Sequence, residues 1–139
     1  MIGRRDGGAG TTVTYLLAAL GGALGALARS AVAEALPRSS GGWPWATLAV
    51  NLGGCLLMGV LLAVLAARGR DSARTRAFFG TGVLGGFTTY SAFALETVDL
   101  ARAGAPLTAA GYVLASVVGG VLAVAAGARL RAVPGGRAR

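Results

Sequence analysis

The chain has 139 residues, of which 55% are hydrophobic and only 13% charged, where a soluble domain carries about 25%. Thirteen Arg and no Lys stand against five acids, for a net charge of +8, with no His and a single Cys. This excludes imidazole base chemistry, a His or multi-Cys zinc site and an intrachain disulfide. It also disfavours a nucleic-acid surface, because the Arg residues sit between long apolar blocks rather than along one face.

The spacing of the charges defines the elements. Between Asp6 and Arg29 lie 22 uncharged residues, between Arg38 and Arg68 29, between Arg76 and Glu96 19, and between Arg102 and Arg129 26. About 20 mainly apolar residues cross the ~30 Å hydrocarbon layer. All four blocks qualify, and a chain this short cannot bury four helices that are apolar all round in a soluble bundle. The fold expected is therefore all-α and integral to the membrane, with four transmembrane helices in a single domain over residues 13–130.

Residues 1–12 are polar and Gly-rich, which predicts a disordered segment. Helix one is expected over Val13–Ala35. Arg4-Arg5 and Ala26-Leu27-Ala28 have the elements of a cleaved signal. However, Asp6 and a glycine run follow the arginines, and Gly21, Gly22 and Gly25 suit a packed membrane helix. Pro37–Gly42 is rich in breakers and reads as a loop. Trp43 and Trp45 flank Pro44 where an interfacial aromatic anchor belongs. Helix two is expected from Pro44 to Ala67, followed by a charged loop from Arg68 to Arg76. Helix three begins near Ala77, a short loop covers Ala103–Pro106, and helix four runs from Leu107 to about Leu130. Residues 131–139 form a basic tail. The N-terminus, the loop between helices two and three and the C-terminus share ten Arg, and the opposite side has three. The positive-inside bias places both termini in the cytoplasm of a multi-pass plasma-membrane protein.

The third block does not read as a plain helix. Gly85-Gly86 precede Thr88, Thr89, Tyr90 and Ser91, and each Gly weakens a helix by about 1 kcal/mol against Ala. One reading is a break at the doublet in mid-membrane, whose freed carbonyls require a partner such as a buried cation. The other is a kinked helix with hydroxyls bonded back to the preceding turn.

Polar side chains join this segment. Asn51 lies well inside helix two, one turn after Thr47, and an Asn in a span marks a functional site or an interhelical hydrogen bond. Tyr112 and Ser116 share one face of helix four, and Tyr90 and Phe93 share one face of helix three. Ring edges carry partial positive charge, and amide and hydroxyl hydrogens are donors. A path lined in this way suits a small anion and equally a small polar solute. The central spans hold no acid for a proton-coupled transporter, and Ser91 and Cys55 have no paired base for enzyme chemistry. Passive conduction fits best. Cys55 reads as a small buried apolar residue, and Arg29 as a partner of Glu34 or a residue snorkelling to the interface.

Gly85-Gly86-Phe87-Thr88-Thr89-Tyr90-Ser91-Ala92-Phe93, with Glu96 a turn later, resembles the signature of the Fluc/CrcB fluoride channel family. Gly21-Gly22-Ala23-Leu24-Gly25-Ala26-Leu27-Ala28-Arg29 and Thr47-Leu48-Ala49-Val50-Asn51-Leu52-Gly53-Gly54 resemble its first- and second-helix motifs, in the right order and spacing. The resemblance implies a fluoride channel that exports the ion passively from an antiparallel dimer in the membrane lipid. It implies a third helix broken at mid-membrane, with a structural sodium ion held at the break by the carbonyls of Gly85 and Thr88. It places Asn51, Tyr90, Phe93, Tyr112 and Ser116 on the anion path, and Thr47, Thr89 and Ser91 add hydroxyls to it. The chain departs from the family pattern at Tyr90, Ala92 and Gly120. The Arg asymmetry argues for one fixed orientation, hence for a dimer with an oppositely oriented homologue, the alternative being a homodimer. The competing functional readings are a non-conducting partner subunit and a small coupled transporter.

Overall fold

In the computed structural model, residues 7–37, 42–68 and 73–130 are described. The elements in chain order are α1 (Gly7–Ala35), α2 (Trp45–Arg68), α3 (Ala73–Thr75), a π-helix (Arg76–Leu84), α4 (Gly85–Phe87), α5 (Tyr90–Arg102) and α6 (Pro106–Leu130). No strand occurs among the described residues. Three helical stretches are long and apolar enough to cross a bilayer: Gly10–Ala35, Trp45–Ala67 and Pro106–Leu130. The protein is a helical membrane protein.

Two expectations need correction. Helix α1 begins at Gly7, not at Val13. Residues 7–12 carry no charge or proline to stop it, and Thr14 Oγ1 bonds back to Gly10 O at 2.9 Å. The third span, read in sequence as breaking at the Gly85-Gly86 doublet, does not break there, and no single helix in it has the length of a crossing. Instead α3, the π-helix and α4 run together to Phe87. Thr88 (φ −75°, ψ 157°) and Thr89 (φ −145°, ψ 127°) are then extended, and α5 starts at Tyr90. The expected tail over 131–139, residues 1–6 of the expected N-terminal segment, and residues 38–41 and 69–72 of the two expected loops lie outside the described residues.

Glycine sets the packing. A Cβ on Gly21 or Gly25 would strike the backbone of Phe78, Val83 or Phe87, and one on Gly86 would strike Gly22 O. The backbones of α1 and the π-helix–α4 segment are therefore in direct contact. In lipid there is no hydrophobic drive between helices, so close approach through small residues holds them together. On the other side, Gly59 lies on the Val124 carbonyl and Gly127 on that of Leu56, which joins α2 to α6 in the same way. Of the doublet, Gly85 stays helical at φ −65°, ψ −36°, and Gly86 serves helix contact. Extension falls two residues later, on the threonines.

The α5–α6 turn closes through Ala105 N–H on Leu100 O (3.0 Å), with Gly104 at φ 76° supplying the left-handed residue in a Schellman-type cap. Pro106 then begins α6, where its missing N–H is not needed. Beneath the turn lies a buried cluster of Leu48, Leu100, Ala109 and Tyr112, flanked by Trp43, Leu52, Phe93 and Ala115.

Candidate functional site

The site grows from the extended pair Thr88–Thr89. An uninterrupted helix would give the Thr89 N–H to Gly85 O and the Ala92 N–H to Thr88 O. Here the Thr89 N–H goes to Asn51 Oδ1 at 2.8 Å, and the Ala92 N–H goes to Thr89 Oγ1 at 3.2 Å. Both carbonyls thereby lose their helical donors. The Asn51 amide answers in both directions, because its Nδ2 also donates to Thr89 O at 2.9 Å. One side chain on α2 thus replaces a rung of the missing ladder. Thr88 bonds back to Leu84 O through Oγ1 (2.9 Å) and through its N–H (3.0 Å), and its methyl group rests on Gly54. Thr89 Oγ1 caps α5 and lies 3.3 Å from Ser91 Oγ.

An open groove of about 370 Å³ runs from this point, lined by Asn51, Thr88, Thr89, Tyr90, Phe93 and Ser116, among others. Tyr90 is 80% exposed, and its ring is centred 6.0 Å from Phe93. Ser116 Oγ is sealed from solvent and has no hydrogen-bond partner. Tyr90 is the first residue of α5, so the positive end of that helix dipole opens at the groove.

A second, smaller cavity of about 170 Å³ shares Thr89 and is lined by Arg29, Thr47, Val50, Ala92 and Glu96. Glu96 organises it. Its Oε1 accepts from Thr47 Oγ1 at 2.8 Å, and its Oε2 accepts from Tyr112 OH at 2.7 Å. Tyr112 is fully buried; its ring lies 5.3 Å from Phe93 and edge-on to Trp43 at 6.0 Å. Arg29 Nε donates to Gly86 O at 3.2 Å, so its recorded partner is this carbonyl and not Glu34.

The residues singled out from sequence therefore divide. Asn51, Thr88, Thr89, Tyr90, Phe93 and Ser116 meet at the groove. Thr47 lines the smaller cavity with Thr89. Tyr112 lies beside Phe93 with its hydroxyl turned to Glu96, so it does not continue a track with Ser116. Ser91 and Gly85 are exposed. Sequence reasoning treated Glu96 as the end of a span and overlooked it as a hub. The available signal was two hydroxyl-bearing positions, Thr47 and Tyr112, on two spans with no acid of their own to bond. Among the described residues no three acidic, His or Cys side chains stand together, so a cation held at this site would rest on backbone oxygens.

These features define a polytopic helical membrane protein with an uncharged, donor-lined groove at an interrupted helix. Residues 16–128 match the family described as CrcB-like protein, Camphor Resistance (CrcB). The chain is 53% identical over 114 residues to the fluoride-specific ion channel FluC of Paracoccus denitrificans (strain Pd 1222), covering 82% of this chain and 90% of that one. It is 50% identical over 109 residues to the fluoride-specific ion channel FluC of Sphingopyxis alaskensis (strain DSM 13593 / LMG 18877 / RB2256), covering 78% and 86%. Against the fluoride-specific ion channel FluC 2 of Streptomyces avermitilis it is 43% identical over 114 residues, covering 82% and 72%. The chain belongs to the CrcB-like family.

Proposed function

We propose that this protein is a fluoride-specific ion channel that lets fluoride leave the cell passively and so limits its cytoplasmic concentration. It is not an enzyme. The observation that carries the reading is the groove at Thr89, on a chain half identical to proteins named as fluoride channels. Its lining offers amide and hydroxyl donors, ring edges and a helix N-terminus, and no fixed cation that would trap the ion. Flux from potassium fluoride-loaded liposomes, followed with a fluoride electrode and compared with chloride, tests it. Fast fluoride leak with little chloride leak is expected; equal leak of both ions, or none of either, would reject it.

The working unit is an antiparallel dimer in the plasma membrane, with both termini of this chain cytoplasmic. Ten Arg against three support one orientation and hence an oppositely oriented homologue as partner; the alternative is a homodimer. Tags on either terminus, read for sidedness in cells expressing this chain alone, separate the two. Equal populations of both orientations would select the homodimer. The extended pair lies at mid-bilayer depth, where the Gly85 and Thr88 carbonyls would hold a sodium ion. Support comes from the diversion of their helical donors to Asn51 and Thr89 Oγ1. Carbonyl oxygens suit a hard cation, and such an ion would lock the extended segment in place.

A further inference from the structure

We infer that the protein binds an anionic phospholipid, with one acyl chain in the seam between α2 and the π-helix and the headgroup on Arg74 and Arg76. The seam is an open space of about 300 Å³. Leu57, Leu61 and Val64 of α2 form one wall, and Phe79, Val83 and Leu84 of the π-helix form the other. Among the described residues no polar side chain lines it. Helix packing leaves this space open. Gly21 and Gly25 bring α1 onto the backbone of Phe78, Val83 and Phe87, and Gly59 and Gly127 bring α2 onto α6. The helices thus form two tight pairs. Near α5 the pairs are tied by Asn51 on Thr89 and Thr47 on Glu96. At the other end Gly80 has no side chain to close the gap, and a Cβ there would meet only the end of Leu61, at 3.8 Å.

Length and charge select the occupant. Leu57 and Phe79 are 51% and 49% exposed, so in a membrane the seam opens onto hydrocarbon. From Leu57 to Val64 the α2 wall rises about 10 Å, against about 15 Å for the hydrocarbon of one leaflet. An acyl chain therefore fits lengthwise. In a π-helix each hydrogen bond spans five residues, so residue i+4 lies close to the face of residue i. Arg76, Gly80 and Leu84 accordingly follow one another on the face that meets α2, with Arg76 outermost. Arg74 and Arg76 are both exposed, and α2 ends at Arg68, four residues after Val64. Residues 68–76 carry four Arg and one Asp. An apolar seam that ends at clustered cations is complementary to a hydrocarbon chain with an anionic head. In the orientation proposed above, this end lies at the cytoplasmic leaflet.

Native mass spectrometry of the purified protein, with phosphatidylglycerol or phosphatidylcholine of identical chains added, tests the site. The wild type should hold one phosphatidylglycerol per chain about thirtyfold more tightly than phosphatidylcholine, the effect of two arginines beside an anionic headgroup. Arg74→Gln combined with Arg76→Gln should bind both lipids equally weakly. Gly80→Leu should lose both, because its side chain enters the seam in ordinary contact with Leu61 and takes the space of the acyl chain. The arginine variant changes only exposed side chains, so it decides the matter even where Gly80→Leu does not fold. Equal retention of the two lipids by the wild type would overturn the site, as would a phosphatidylglycerol preference that survives loss of both arginines. Undiminished lipid binding by folded Gly80→Leu would do the same. So would a wild type that holds no lipid and a Gly80→Leu chain that no longer self-associates, which would assign the seam to a second copy. None of these readouts involves fluoride, so the channel reading stands or falls separately.

Discussion

Asn51→Asp probes the groove most directly, because it changes one atom and adds one charge. In the native site Oδ1 accepts from the Thr89 N–H at 2.8 Å and Nδ2 donates to Thr89 O at 2.9 Å. Aspartate keeps the acceptor and turns a second oxygen toward the Thr89 carbonyl. Leaving that part-buried carbonyl without a donor costs up to about 1–3 kcal/mol of stability, so the variant should melt a few degrees lower and still fold. Its effect on conduction is larger. A unit negative charge about 4 Å from a passing anion raises its energy by about 4 kcal/mol at an effective dielectric constant of about 20. At 1.36 kcal/mol per decade that is roughly a thousandfold fall in rate. The assay is fluoride efflux from liposomes containing equal amounts of protein, each shown to be monodisperse by size-exclusion chromatography. A folded Asn51→Asp protein conducting at the wild-type rate would refute the placement of Asn51 on the path.

Three further outcomes follow from the packing. Gly25→Leu should yield little monodisperse protein, because any side chain there enters the Val83 and Phe87 backbone, while Gly22→Ala should behave as wild type, because its Cβ would meet nothing within 4 Å; overpacking of this kind costs about 1–3 kcal/mol or more. Tyr112→Phe and Glu96→Gln should each lower thermal stability, by about 1.5–3 kcal/mol for a hydrogen bond to a charged group; the double variant should lose clearly less than the sum, and strict additivity in the melting data would show that the 2.7 Å contact contributes nothing. Thr89→Val removes the cap on the Ala92 N–H and should cost about 1 kcal/mol, which Thr89→Ser should largely recover in the same melting experiment.

The long helices were legible because the bilayer imposes a simple rule on composition. Twenty-odd uncharged residues between charges located α1, α2 and α6 to within a few residues, apart from the early start at Gly7. The same rule misled at Glu96. It counts every charge as a boundary, whereas Thr47 and Tyr112 solvate this carboxylate from two other helices. No periodicity within α5 announces partners on α2 and α6. The segment before Tyr90 was legible as irregular but not in detail. Propensity puts the weakness at Gly85-Gly86, yet both stay helical, and Gly86 is packed directly against the α1 backbone at Gly22. Thr88 and Thr89 leave the helix instead, because their hydroxyls and the Asn51 amide can take over the backbone's hydrogen bonds. Propensity ranks single residues, and here the outcome was decided by which neighbour supplied a substitute partner. Tyr112 shows the same limit. Its four-residue spacing from Ser116 correctly put the two on one helix face, but only the position of Glu96 decides where its hydroxyl turns.

The polar contacts of the site close into a circuit. Asn51 holds Thr89, and Thr89 caps α5 through Ala92. From α5, Phe93 packs its ring on Tyr112, Tyr112 donates to Glu96, and Glu96 accepts from Thr47. Thr47 stands one turn from Asn51 on α2, which returns the circuit to its start. Every member is fixed from two sides, so the ring pair Tyr90–Phe93 is presented to the groove by a framework whose hydrogen bonds are made inside the protein. This arrangement also accounts for an acid so near the proposed anion path. Both Glu96 oxygens receive hydroxyl donors, and the Arg29 side chain lines the same cavity, so the carboxylate's field is partly answered before an anion meets it. On the proposed function, an uncharged groove would offer an anion many weak donors and release it as readily, which conduction requires.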